Sequence, residues 1–71
     1  MASGPQIRAL REALNITGKE LAEELRCHVM TIRVREGKAH LSDRIIREHI
    51  EALKSINAKR EAAAERMVDE L

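Results

Sequence analysis

Apolar residues recur every three or four positions through most of the chain, which is the spacing of helices that bury one face. Two of the apolar stripes follow a capping-box pair, Ser3 with Gln6 and Thr17 with Glu20. In such a pair a hydroxyl and a longer side chain satisfy free backbone groups at the start of a helix. These signals predict three helices, which span 4–14, 18–25 and 28–36.

From Asp43 onward the chain consists mainly of strong helix formers, with no Pro or Gly. One long helix and two helices with a joint near 55–57 both fit this composition. A heptad seam runs through Ile46, Ile50, Leu53, Asn57, Arg60, Ala64, Met67 and Leu71. It fits either a dimeric coiled coil or a solvated helix that packs on its own domain. The dimer contacts that it predicts are Ile50, Leu53, Asn57, Met67 and Leu71.

The pattern as a whole predicts an all-α protein with a compact domain of four to five helices over 1–54 and a helical extension over 55–71. A chain of 71 residues forms one small domain at most, and its core is marginal unless a second chain adds stability. The chain has no Phe, Tyr or Trp, which excludes the single-strand binders that stack bases on aromatic rings.

Other functional classes find little support in the composition. The single cysteine, Cys27, cannot form an intrachain disulfide, and the spacing of the histidines matches no zinc motif. We therefore expect no metal and no cofactor. No nucleophile and base form a recognisable set, so we expect a protein that is not an enzyme. The absence of a secretory pattern and of a long apolar run predicts a cytoplasmic protein with no membrane partner.

The net charge of +1 is distributed unevenly along the chain. Residues 1–25 carry −1 and residues 48–71 carry −2, whereas residues 26–47 carry +4 before histidines are counted. Nucleic-acid surfaces are local clusters of positive charge rather than a property of the whole chain. The middle segment is therefore the predicted anion-binding surface.

Residues 17–38 contain Gly18–Leu25, Cys27, Ile32 and Gly37–Lys38. With these residues the segment resembles the helix-turn-helix of the phage repressor and Cro family, also called the xenobiotic-response-element class. The resemblance covers roughly residues 6–53. The matching residues are, in chain order, Ile7–Leu14 as the family's first helix, Gly18–Leu25 with Ala22 at the small-residue position, Cys27 and Ile32 at buried positions, and Gly37–Lys38 at the end of the reader helix.

The sequence departs from the family pattern at three places. Arg26 stands where relatives carry Gly, so it must either accept a left-handed backbone at a cost of roughly 1 kcal/mol or change the turn. The chain is one residue shorter than the common form between Ile32 and Gly37. Gly18 replaces a Gln that bonds a phosphate in many relatives, so a side-chain contact is missing there.

The resemblance implies that the third helix enters the major groove of DNA and contacts base edges. The implied base contacts are His28, Val29, Met30 and Arg33, with Val34 as a further groove-facing position. Arg33 suits the O6 and N7 atoms of guanine, whereas the apolar Val29 and Met30 suit at most thymine methyl groups. The implied phosphate contacts are Thr17, Lys19, Arg26, Arg35, Lys38 and Arg44. Each cation taken alone is also typical of an ordinary solvated surface. Met30 equally fits a buried position, and His28 equally fits a helix cap.

By this resemblance the protein is a sequence-specific regulator of transcription, similar to a repressor, that binds double-stranded DNA. It would bind an inverted-repeat operator as a homodimer, because symmetric pairing doubles the few base contacts of one reader helix. Phage and plasmid regulators and toxin-linked antitoxins are proteins of this kind, so a toxin or another regulator is an implied partner. The alternative is a helical protein-interaction module with the same fold, favoured by the low net charge and by apolar Val29 and Met30.

Overall fold

A computed structural model describes residues 2–71, and Met1, which the predicted domain includes, lies outside the described residues. The described residues form four α-helices and no strand, which confirms the predicted all-α class. The helices are α1 (Gly4–Ala13), α2 (Gly18–Leu25), α3 (Val29–Glu36) and α4 (Asp43–Asp69). None of them is both long enough and apolar enough to cross a membrane.

Both predicted capping boxes are present at the helix starts. The Ser3 hydroxyl accepts the N–H of Gln6 at 3.4 Å, and the Gln6 side chain accepts the N–H of Ser3 at 2.8 Å. In the second box the Thr17 hydroxyl accepts the N–H of Glu20, and the Glu20 carboxylate accepts the N–H of Thr17, each at 3.1 Å. Local side-chain chemistry therefore sets where α1 and α2 begin.

The core lies where α2, α3 and α4 meet. Ala22 on α2 is buried in it, in agreement with the expectation of a small side chain at this position. Cys27 is partly buried against the same cluster. The buried members of the cluster are Ile16, Leu21, Ala22, Ile32, Ala52, Leu53 and Ile56.

Helix α4 is continuous over 27 residues, so the alternative of one long helix is correct and no joint occurs at 55–57. Its length of about 40 Å gives the molecule an elongated shape of 46 × 23 × 18 Å. Ile56 still belongs to the core, and Arg60 donates to the carbonyl oxygens of Leu14 and Asn15 at 3.1 and 2.9 Å. The packed part therefore passes the predicted boundary at residue 54, and only Glu61–Leu71 are exposed without interruption.

The turn between α2 and α3 is closed by a left-handed residue. Arg26 has φ 55° and ψ 45°, so of the two outcomes expected for a non-glycine turn residue, it accepts the left-handed backbone. The N–H of Cys27 then donates to the carbonyl of Ala22 at 3.0 Å, which satisfies one of the last carbonyl groups of α2. The backbone of Arg26 thus sets the direction in which α3 leaves α2.

The start of α1 packs directly on the end of α3. The N–H of Gly4 donates to the carbonyl of Lys38 at 2.8 Å, and a Cβ atom at Gly4 would lie 2.2 Å from the carbonyl oxygen of Arg35. Glycine is required here because the two backbones approach too closely for any side chain. This contact holds α3 against α1 as well as against the core.

Candidate nucleic-acid interface

The outer side of α3 carries two apolar side chains. Met30 and Val34 lie one helical turn apart on the same face of α3 and are 53% and 52% exposed. Ile32, which lies between them in sequence, is on the opposite face and is fully buried. The alternative that Met30 belongs to the core is therefore wrong. Val29 lies on the inner side and is partly buried against the core, so it does not stand on the surface that a base contact would require.

The exposed charged side chains of residues 26–42 are all positive. Between Arg26 and Ser42 the only acidic residue is Glu36, which is 7% exposed. Its carboxylate accepts two hydrogen bonds from Arg11, at 2.7 Å from Nε and at 3.0 Å from Nη2. The hydrogen bond to Glu36 raises the pKa of the Arg11 guanidinium above its ordinary value, against the opposing effect of burial. The ion pair removes the one carboxylate that would otherwise repel an anion.

Two open clefts flank α3 on different sides. The cleft of about 370 Å³ lies between α1 and α3 and contains Arg33; it is lined by Arg8, Arg11, Arg33, Glu36 and Gly37. The cleft of about 260 Å³ lies on the other side of α3 and contains Lys38; it is lined by Met30, Thr31, Val34, Arg35 and Lys38. Predicted base and phosphate contacts are thus placed on both sides of the exposed helix.

Sequence reasoning missed Arg8 and Arg11 because they lie on α1, outside the basic middle segment. A signal for Arg11 was present in the sequence. Glu36 falls four residues after Ile32, on the inner side of the third helix, and a carboxylate placed there needs a positive partner. The pattern alone does not say which of the arginines supplies it.

His28 begins α3 as its N-cap. Its Nδ1 atom accepts the N–H of Met30 at 3.0 Å, so of the roles left open for His28 the cap is confirmed. The imidazole remains exposed at the same end of α3 as Arg26. Thr17 and Lys19 are exposed at the start of α2, where the Thr17 hydroxyl serves the capping box.

Arg35 is only half exposed, because its guanidinium turns toward α4. Its Nη1 atom lies 3.4 Å from Nε2 of His49, a residue that is completely buried. Burial lowers the pKa of His49, and the nearby charge of Arg35 lowers it further. A neutral imidazole therefore accepts a hydrogen bond from Arg35, which leaves Nδ1 of His49 without a partner. The sequence indicates no role for His49 in the site, although this residue holds Arg35, one of the predicted phosphate contacts.

Arg44 is not brought together with the other predicted phosphate contacts. It lies on the first turn of α4, strongly exposed, with Glu48 at 3.8 Å. It lines neither cleft beside α3 but a third, of about 430 Å³, whose apolar part is formed by Leu25 and Ala52.

The predicted dimer contacts divide into two groups. Leu53 is 1% exposed within the core of its own chain, so the prediction that it contacts a second chain is wrong. Ile50 and Asn57 are half-buried, and the Asn57 amide donates to Glu61 at 3.3 Å on the same helix. Met67 and Leu71 are exposed, as is Val68. The first part of the seam covers the core of the domain, and only the last part is free to meet another chain.

Neither a metal site nor a comparison with known proteins assigns a function to the described residues. Within residues 2–71, no three His, Cys, Asp or Glu side chains gather where they would hold a metal ion. In comparisons with known proteins, no family model, curated protein or solved structure matches the chain. The functional argument therefore depends on the geometry of α3 and its surroundings.

Proposed function

We propose that this protein is a sequence-specific regulator of transcription that binds double-stranded DNA. In this proposal α2 and α3 form a helix-turn-helix, and α3 enters the major groove, which is wide enough to admit one helix. The protein acts on inverted-repeat DNA as a homodimer and carries no catalytic activity. The pairing of two reader helices supplies enough base contacts for a specific site.

The observation that carries the proposal is the exposed charge around α3. From Arg26 to Ser42 every exposed charged side chain is a cation, and the single carboxylate is buried in its pair with Arg11. An exposed carboxylate on a helix in the groove is repelled by the phosphates of both strands unless it accepts a hydrogen bond from a cytosine, so a surface that exposes only cations favours binding. A solvated helix of a protein with a net charge of only +1 has no such preference.

The arrangement also gives the cations different tasks. Arg33 stands on the exposed side of α3, three residues after Met30, where a guanidinium can donate two hydrogen bonds to guanine. Arg26 precedes α3 and Lys38 follows it, at positions suited to phosphates. Arg35 reaches the same surface from the side and is oriented by His49.

Selection from a random pool of DNA duplexes tests this function. The full chain is incubated with the pool, bound duplexes are recovered and sequenced over several rounds, and binding is titrated by gel shift at several salt concentrations. We expect an enriched palindromic sequence that resists scrambled competitor. Its binding constant should fall steeply with salt, because each phosphate contact releases counterions and steepens the logarithmic slope by about 0.9. A pool that stays unenriched, with no gel shift at low salt, would overturn the proposal.

A protein-interaction module is the second candidate, because Met30 and Val34 expose apolar surface on α3. Such a module would take a protein partner such as a toxin or another regulator. Apolar association depends weakly on salt, whereas binding through phosphates depends on it strongly. The salt titration therefore separates the two candidates.

A further inference from the structure

The exposed apolar pair on α3, Met30 and Val34, has no structural role in the described fold. Ile32 and Val29 already supply the contacts of α3 with the core, and the side chains of Met30 and Val34 are each more than half exposed. Exposure of two large apolar side chains on the helix that carries the cations costs free energy in water. Their presence there is explained if they meet an apolar group of the ligand.

The neighbours of the pair point to DNA rather than to an apolar protein surface as the occupant. Arg33 lines the cleft on one side of α3, and Lys38 and Arg35 line the cleft on the other side together with Met30 and Val34. No exposed carboxylate stands among them. An apolar strip between two groups of cations matches a major groove, which is bordered by phosphates on both sides.

The major groove offers one kind of apolar group, the methyl on C5 of a pyrimidine. The other groups that distinguish base pairs there are hydrogen-bond donors or acceptors, and the side chains of Met30 and Val34 provide no useful partner for them. Residues four apart on a helix are separated by about 6 Å along its axis. Base pairs are spaced about 3.4 Å apart, so the two side chains reach base pairs about two steps apart.

We propose that Met30 and Val34 recognise pyrimidine C5-methyl groups at base pairs about two steps apart in the half-site, near a guanine contacted by Arg33. This inference rests on the proposed function and deepens it, because it assigns base composition to the operator. Thymine and 5-methylcytosine carry the same methyl group, so either base can provide the contact. Uracil and cytosine lack it.

The experiment uses the sequence enriched in the selection and replaces single thymines of each half-site by deoxyuridine. This change removes the methyl group and keeps base pairing. We expect a loss of affinity of about fourfold for each contacted methyl, the effect of one buried carbon group. A 5-methylcytosine–guanine pair at the same position should retain more affinity than a cytosine–guanine pair, which separates the methyl group from the rest of the base.

Variants of the protein assign the effect to the apolar pair. In Met30→Ala and Val34→Ala the penalty for deoxyuridine should disappear at one position each, since the methyl has lost its partner. Both residues are exposed on a helix, so alanine preserves the fold, which circular dichroism checks. Val68→Ala is the matched control, because Val68 is also more than half exposed, at 66%, but lies at the far end of α4.

The outcomes separate this inference from the function on which it rests. An enriched site that lacks thymine, or one that tolerates deoxyuridine at every position, would overturn the methyl contact and leave DNA binding intact. A penalty that persists in both alanine variants would also overturn it. A pool with no enriched sequence overturns the proposed function and this inference together.

Discussion

Arg11 on α1 and Glu36 on α3 form a two-bond ion pair that is shielded from solvent, with side-chain exposures of 12% and 7%. Arg11 also donates from Nη1 to the carbonyl oxygen of Ile16 at 2.8 Å, so one side chain ties α1 to the next loop and to α3. The pair therefore fixes the position of the helix that we propose enters DNA. It also neutralises the acidic group nearest to Arg33.

Arg11→Met tests how strongly the fold depends on this pair. The variant leaves the Glu36 carboxylate buried without a partner, and we expect a loss of about 3 kcal/mol or more in the free energy of unfolding. Urea denaturation followed by circular dichroism measures the loss. Arg8→Met is the matched control, because Arg8 pairs with Glu12 in solvent and should contribute less than about 0.5 kcal/mol. Equal losses in the two variants would contradict the role assigned to the buried pair.

The sequence was sufficient to predict features that depend on near neighbours. The starts of α1 and α2 followed from Ser3 and Thr17 because a capping box is complete within four residues. At Arg26 the resemblance, which places a glycine there, reduced the choice to a left-handed backbone or a changed turn, and the left-handed backbone is found. In each case the physical cause lies within one turn of the chain.

Features that depend on distant partners were not predictable in this way. Arg60 bonds a carbonyl 46 residues earlier in the chain, and Arg35 meets an imidazole 14 residues later. The heptad seam shows the same limit at Leu53. Apolar spacing indicates that a stripe is covered but does not say whether the cover is the chain's own domain or a second chain.

Arg26→Gly separates the backbone role of this residue from its charge. Glycine adopts φ 55° without the steric cost that arginine bears, so we expect a net gain of about 0.5–1 kcal/mol in stability after the added freedom of the unfolded chain is counted. Asn15→Gly is the control, since Asn15 has the same φ but asparagine tolerates it better. The gain in stability of Asn15→Gly, measured by thermal denaturation, should be smaller than that of Arg26→Gly.

The same variant should bind DNA less well. Removal of one phosphate contact is expected to reduce the logarithmic salt slope by about one, while the sequence preference stays unchanged. Arg26→Gly would thus be more stable and less active. A variant that is less stable than the natural chain would contradict the left-handed turn, and an unchanged salt slope would remove Arg26 from the phosphate contacts.

The buried His49 predicts a specific pH dependence of stability. Its pKa in the folded chain is below the ordinary value of 6.5, so the unfolded chain binds more protons as the pH falls through this range. Stability is therefore complete above about pH 6.5 and is lost as the pH falls from there toward the lower pKa of the folded state. The charged groups that act on His49 are Arg35, Glu36 and Glu48.

Urea denaturation at pH values on both sides of 6.5 measures this loss. In His49→Gln the decline below about pH 6.5 should be strongly reduced, because glutamine does not titrate and still accepts a bond from Arg35. His40→Gln, at an exposed position, should decline like the natural chain. The carboxylates with lowered pKa, Glu20 and Glu24, act only at lower pH. A full decline in His49→Gln would show that the buried imidazole is not its source.

Arg33 and Lys38 are expected to affect DNA binding in different ways. Arg33→Ala should cost about 1–3 kcal/mol on the selected site and relax the preference at one base position, because a guanine contact is lost. Lys38→Ala should weaken all duplexes alike and lower the salt slope. Arg66→Ala is the matched control, with the same change in charge on the exposed end of α4. Equal losses on selected and random DNA for Arg33→Ala would reject its role as a base contact.

The exposed end of α4 supplies the last prediction, which concerns assembly. Met67, Val68 and Leu71 are exposed beyond the packed domain, and their burial against the same residues of a second chain would remove apolar surface from water. We expect the natural chain to sediment as a dimer, and the double variant Met67→Glu, Leu71→Glu to sediment as a monomer with unchanged helix content.

A chain that ends at Glu61 serves as a second test, because it retains Ile56 and Arg60 and hence the contacts of the domain. Monomers should still bind one half-site weakly, and an inverted repeat should no longer be preferred over a single half-site. A shortened chain that remains a dimer would place the dimer contact elsewhere, with Ile50 as the half-buried residue to examine.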